Sequence, residues 1–245
     1  MRTLPLLLLS LVACGGSSKS TLGNVAGAGG PPGPAPTITW SGQAPTDGGS
    51  FATTGMPAVS DDGSQVLIDW VQGDGGRGYP NLRLLVVDRA DKTLDTKVVL
   101  DADQVEDMSG PVDVAPFNGF LTDGNATMRW RPLTSAAVEG EPEGDEMYAT
   151  RQTSKLGDVA VHFDDSAHLV IEQGGKVVVD TVKKEWLQVD RPMYEGAEAD
   201  EVCSNPIYLS SVHVDGARRL AVIGFEYHGN DSCWEPSGQY HVVTW

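Results

Sequence analysis

From Thr37 onward the chain alternates between short apolar runs and clusters of turn residues. Val66–Val71, Leu82–Val87, Lys97–Leu100, Leu169–Ile171, Lys176–Val179, Leu220–Ile223 and His241–Trp245 are rich in β-branched residues and bounded by Gly, Pro, Asn or Asp. Runs of this length and composition predict strands. Helical periodicity is scarce. Only Ala102–Met108 and Val182–Leu187 admit a turn or two, because Gly and Pro recur too often for long helices. The pattern predicts an all-β domain over residues 37–245.

A repeat underlies these strands. Val59-Ser60-Asp61-Asp62-Gly63-Ser64-Gln65-Val66-Leu67-Ile68 returns as His162-Phe163-Asp164-Asp165-Ser166-Ala167-His168-Leu169-Val170-Ile171. It returns again as His213-Val214-Asp215-Gly216-Ala217-Arg218-Arg219-Leu220-Ala221-Val222, with a weaker copy at Thr122–Met128. Each unit predicts a strand, a tight Asp-type turn and a second strand whose apolar residues face a core. Four units at a spacing of about fifty residues resemble the blades of bacterial envelope β-propellers. That resemblance implies a propeller-like domain of about four repeats. The alternative is a β-sandwich in which Asp-Gly hairpins recur because hairpins favour them.

The amino terminus has a different pattern. Arg2 precedes the apolar run Leu4–Ala13, which as a helix would rise only about 15 Å and so is too short to span a bilayer. A charged start, a short apolar run and small residues before a cut predict a secretory signal peptide over residues 1–13. Leu11-Val12-Ala13-Cys14 resembles the bacterial lipobox. The resemblance implies that Cys14 becomes the first mature residue and carries the lipid, with two or three acyl chains holding it to a membrane. Gly15 and Gly16 stand where an aspartate commonly marks inner-membrane retention, which points to the outer membrane of the cell envelope. Residues 14–36 are Gly, Ser, Ala and Pro with few other side chains, a linker with a root-mean-square span of about 25 Å.

Charge and cysteines refine the picture. Seventeen basic against 34 acidic residues give a net charge of −17, which argues against nucleic-acid partners. With Cys14 assigned to lipid, Cys203 and Cys233 remain as an even pair in an oxidising compartment, where a disulfide is expected. Their spacing matches neither redox C-x-x-C nor zinc patterns.

No catalytic or cofactor motif survives inspection, so no catalytic, cofactor or metal residue is assigned. Gly73–Gly78 matches G-x-G-x-x-G in letters, but Tyr79-Pro80 and a predicted strand follow instead of a helix. Acidic stretches over residues 101–107, 139–146 and 195–201 lack EF-hand spacing. The histidines at 162, 168, 213, 228 and 241 form no close ligand pair. Trp234 and Tyr227, near the cysteine pair, are the aromatics singled out for ligand stacking, and the remaining tryptophans read as core. The expectation is a tethered, non-enzymatic module that binds an envelope protein or glycan, or supports an assembly. Alternatives are a hydrolase built on carboxylates with His213 or His228, and a calcium-dependent adhesion or stabilising module.

Overall fold

The computed structural model describes residues 33–72, 78–141, 151–187, 191–192, 202–203, 207–227 and 238–245. The chain is mainly β, in several antiparallel sheets, none of which closes on itself among the described residues. β1 (Thr37–Ser41) and β2 (Ser50–Thr54) form a two-stranded ribbon. β3 (Ala58–Val59), β4 (Gln65–Trp70), β5 (Leu82–Asp88) and β6 (Thr93–Leu100) follow. After helix α1 (Ala115–Met128), β7 (Arg131–Pro132) completes a first sheet of order β6-β5-β4-β3-β7.

β8 (Thr134–Ala136) leaves that sheet and serves as an edge of the middle one. β9 (Val138–Glu141), β10 (Arg151–Leu156), β11 (Val159–Asp164), β12 (His168–Gln173) and β13 (Lys176–Val182) make a third sheet, a simple meander. β14 (Arg191–Pro192) and β15 (Val202–Cys203) pair with each other. β16 (Ile207–Asp215), β17 (Leu220–Tyr227) and β18 (Gln239–Thr244) complete the middle sheet, in the order β18-β17-β16-β8.

Side-chain alternation shows how these sheets stack. In a strand, residues i and i+2 share a face. Leu220 and Val222 of β17 join Val242 of β18 and Val59, Val66, Ile68 and Val87 of the first sheet in one apolar cluster. The intervening Ala221, Ile223 and Phe225 point the other way, into a cluster with Val159, Val161, Phe163, Leu169 and Ile171 of the third sheet. Phe163 and Phe225 meet across that interface with ring centroids 4.6 Å apart. The middle sheet is therefore covered on both faces, which accounts for the unbroken apolar run of Leu220–Ile223. The far face of the first sheet packs Leu67, Leu82, Leu84 and Val86 against Ile38 of the ribbon, Leu121 of α1 and Trp130.

All three strong copies of the repeat are hairpins, β3–β4, β11–β12 and β16–β17. Their registers differ by one residue at each step: Val59 pairs with Val66, His162 with Val170, and His213 with Val222. The left-handed residue moves in step, from Gly63 to Ala167 to Arg219, with φ between 52° and 73°. Side-chain carboxylates organise the turns. Asp62 accepts from the Ser60 hydroxyl at 2.6 Å and from Ser64 N–H at 2.9 Å, and these bonds hold its pKa below the ordinary value. Asp215 accepts from Arg218 N–H at 2.9 Å. Arg218 also donates to the Asp61 carbonyl, and Arg89 bridges the carbonyls of Gly63 and Arg218. These bonds latch the first hairpin to the third.

The fourth copy is a correction. Thr122–Met128 is not a hairpin but the last turns of α1, which ends where Arg129 adopts φ 54° and donates its N–H to the Asn125 carbonyl. The two short helical stretches expected from the sequence form 3-10 turns, Ala102–Asp107 and Lys184–Trp186. Helix α1 is held by tertiary contacts. Asn118 grips the β1 backbone with two 2.8 Å bonds, accepting from Ile38 N–H and donating to the Ile38 carbonyl. Asn125 donates to the Gly33 carbonyl, and Pro36 is buried.

Candidate functional site

The first sheet is wider than the layer above it. Beyond the edge strand β18, β6 stays exposed at Thr96 and Val98, while Leu85 of the neighbouring β5 packs against the cluster between the two sheets. The register places Arg83 beside Trp70 and Val98, and Leu85 beside Ile68 and Thr96, all on the face turned to the middle sheet. Leu85, Arg83, Thr93 and Thr96 form the floor of a groove of about 290 Å³, and Gly238–His241 and Trp70 line its wall. That volume lies just below the usual range for ligand pockets, about 300–1,000 Å³.

Both ends of the groove are fixed by side chains reaching across the layers. At one end the Trp70 indole N–H donates to the Gly238 carbonyl at 2.6 Å. The Arg83 guanidinium lies 5.5 Å from the Trp70 ring centroid and forms a 2.7 Å ion pair with Asp101. At the other end stands Asp91, left-handed with φ 63° in the β5–β6 turn. Its Oδ1 accepts the Val242 N–H at 2.7 Å, and its Oδ2 lies 2.6 Å from His241 Nδ1. The His241 ring stacks on the buried Trp186, centroids 4.4 Å apart, and its Nε2 is 3.3 Å from Gln239 Oε1. Burial pushes the Tyr240 phenol up to about 12, with the carboxylates of Asp69 and Glu226 adding to the shift, so Tyr240 stays neutral across the physiological range.

This arrangement has a consequence for charge. The chain as a whole carries −17, yet the one permanent cation among the described residues lining the groove, Arg83, is paired with Asp101, and His241 is hydrogen-bonded to Asp91. The described residues lining the groove offer aromatic and aliphatic surface with hydrogen-bonding groups, and their one permanent charge is paired.

The histidines expected to matter are dispersed. His162 and His168 face outward from the third sheet and line a smaller cavity of about 150 Å³ with Arg151, Thr153 and Asp164. His162 Nδ1 is 3.1 Å from Thr153 Oγ1, and His168 Nε2 is 2.8 Å from Asp180 Oδ1. The Asp180 hydrogen bond raises the His168 pKa, and Asp164 adds to it. His213 is half-buried on β16, and burial lowers its pKa. His228 lies outside the described residues.

The cysteine assignments fall largely outside the described residues. Cys14 and Cys233 are not among them, and Cys203 is placed by its backbone in β15, opposite Arg191. Trp234 is also outside. Tyr227, singled out for ligand stacking, is buried and donates to the Trp186 carbonyl at 2.7 Å, so it is a core residue. In the first acidic stretch Asp101 is structural: it caps the 3-10 turn by accepting from Asp103 N–H and pairs with Arg83. Among the described residues no three His, Cys, Asp or Glu side chains gather to hold a metal ion. Gly73–Arg77 lie outside the described residues, within the β4–β5 connection. No helix among the described residues is long and apolar enough to cross a membrane.

Sequence reasoning missed the groove itself. Trp70, Arg83, Asp91 and His241 belong to three strands and a turn, and Asp91 and His241 are 150 residues apart. Comparisons with protein-family models, curated proteins and solved structures find no match for the chain.

Proposed function

We propose that this chain is a lipid-anchored protein of the cell envelope, tethered through Cys14, whose β domain binds an uncharged ligand in the groove beside β18 without transforming it. The observation that carries the reading is the groove's composition: Trp70 and Tyr240 in the wall, Leu85, Thr93 and Thr96 in the floor, and Arg83 neutralised by Asp101. Both nitrogens of His241 are engaged, by Asp91 and by Gln239, which supports a wall-forming imidazole over a proton-transferring one. In this reading the sheets stack as a sandwich of layers. Three of the four repeat copies form hairpins, and the chain runs from the first sheet to the third before completing the middle one. The Gly/Pro tract lets the domain stand off the outer membrane, and the Cys203–Cys233 disulfide staples its carboxy-terminal part.

One preparation tests both halves. Lipidated full-length chain, solubilised in detergent, is applied to an array of neutral oligosaccharides and blocked peptides alongside Thr96→Lys, which places a long charged side chain on the groove floor. Thr96 is exposed, so the melting temperature should stay within about 2 °C. Retention of a neutral ligand by the natural chain and its loss in Thr96→Lys supports the reading. An array on which nothing is retained contradicts it. Cys14→Ser should move the protein out of the membrane fraction, and continued membrane retention would overturn the anchor.

A further inference from the structure

The groove has a feature that discriminates among neutral ligands. In an antiparallel pair, residues alternate between those that bond to the neighbouring strand and those whose backbone groups point away. On β18 the parity is set by three bonds. Trp245 N–H donates to the Arg219 carbonyl just beyond β17, so odd-numbered residues face inward. The Val242 N–H donates to Asp91, and the Gly238 carbonyl accepts from Trp70, so even-numbered residues face outward. The N–H and C=O of Tyr240 therefore point into the groove. Among the described residues neither has a partner.

β18 is thus an edge strand whose Gly238 carbonyl and Val242 N–H are bonded, and which among the described residues is open at Tyr240 between them. Gly238 to Val242 spans about 13 Å of strand. Below that opening lies a ledge of strand-face side chains, Leu85 and Thr96, continuing to the half-exposed Val98. A saccharide could use the Trp70 and Tyr240 surfaces, but it has no alternation to match. An extended peptide has it: one backbone edge offers a C=O and an N–H to Tyr240, while alternate side chains drop onto the ledge.

We infer that the groove receives an extended, uncharged segment of about four residues from a partner protein, added as a short antiparallel or parallel strand on β18 at Tyr240. This rests on the groove being the ligand seat. Neutrality follows from the Arg83–Asp101 pairing, and a small apolar or hydroxyl side chain suits the Leu85–Thr96 ledge.

The test uses the full-length chain in detergent and three probes, followed by titration calorimetry. The first is acetyl-valyl-threonyl-valyl-threonine amide. The second and third are the same peptide N-methylated at the two odd or at the two even residues. Because one strand edge bonds only through alternate residues, one methylation pattern should weaken binding about tenfold or more and the other should leave it within about twofold. Thr96→Lys should abolish binding of the parent peptide. Equal sensitivity to both patterns, or to neither, overturns strand addition. Binding of diacetylchitobiose that Thr96→Lys removes, with no binding of the peptide, also overturns it while leaving the groove as a ligand seat. Failure of every probe overturns it as well, and with an empty array the proposed function falls too.

Discussion

In the middle sheet, β17 is buried at every position from Leu220 to Tyr227 except Glu226, whereas β11 of the third sheet alternates strictly, with Val159, Val161 and Phe163 inward and Ala160, His162 and Asp164 outward. The edges differ as much as the faces. β18 is held by Asp91 at Val242, by the Thr244 hydroxyl donating to the Arg89 carbonyl, and by Trp70 at Gly238. β13, the edge of the third sheet, keeps Val177, Val178 and Val182 exposed between Lys176 and Lys183. Charged flanks of that kind are a common protection for a bare edge. The contrast assigns the sheets different roles. The middle sheet is a scaffold buried on both faces whose β18 edge is tied to the first sheet at Gly238, Val242 and Thr244, and the third sheet is a cover with one wet face.

The largest effect that breaks this contrast comes from matched substitutions in the two sheets. Val222→Asp puts a carboxylate into the cluster between the first and middle sheets and should cost about 4 kcal/mol or more, because no partner there can satisfy it. Val170→Asp, on the wet face of β12, should cost about 1 kcal/mol or less. Urea unfolding of both variants checks the pair. Comparable losses would mean that the third sheet is covered too.

A second pair compares the ties at the edges. Asp91→Ala removes both acceptors at the β18 cap and leaves alanine in a left-handed turn position, so it should cost about 2 kcal/mol. Asp180→Asn on the exposed edge should leave the melting temperature nearly unchanged and instead lower the raised pKa of His168. The sign follows from linkage. A histidine whose pKa is raised on folding contributes stability in full below its ordinary value near 6.5, and that contribution is lost as pH rises through the folded value. A proton NMR titration of His168 in the two proteins reads the shift directly, and an unchanged midpoint would remove Asp180 as its cause.

Much of the strand content was legible because β-branched runs bounded by turn residues have few other readings. The three Asp hairpins were legible for the same reason. Their one-residue register steps were not, since register depends on which residue takes the left-handed conformation, and Ala167 and Arg219 carry no such signal. Helix α1 was hidden by its own composition. Pro116, Gly119 and Gly124 are poor helix formers, and Thr122-Asp123-Gly124-Asn125 reads as a turn. Contacts such as Asn118 with Ile38 override that preference, and no local pattern announces them. The groove was invisible for a related reason. It exists because one sheet overhangs another, a fact of packing that brings Trp70, Arg83 and Thr96 beside Tyr240 and His241.

The central claim is that on the edge of β18 the Val242 amide is capped while Tyr240, two residues before it, is open, and amide hydrogen exchange tests it without any ligand. The chain labelled with ¹⁵N-tyrosine and ¹⁵N-valine reports Tyr240 and Val242, two residues apart on one strand and both facing away from β17. The account predicts that the Val242 amide, bonded to Asp91, is strongly protected, and that the Tyr240 amide exchanges at least about a hundredfold faster through its open position. Equal, strong protection at both amides would show the edge already closed at Tyr240 and would contradict the account.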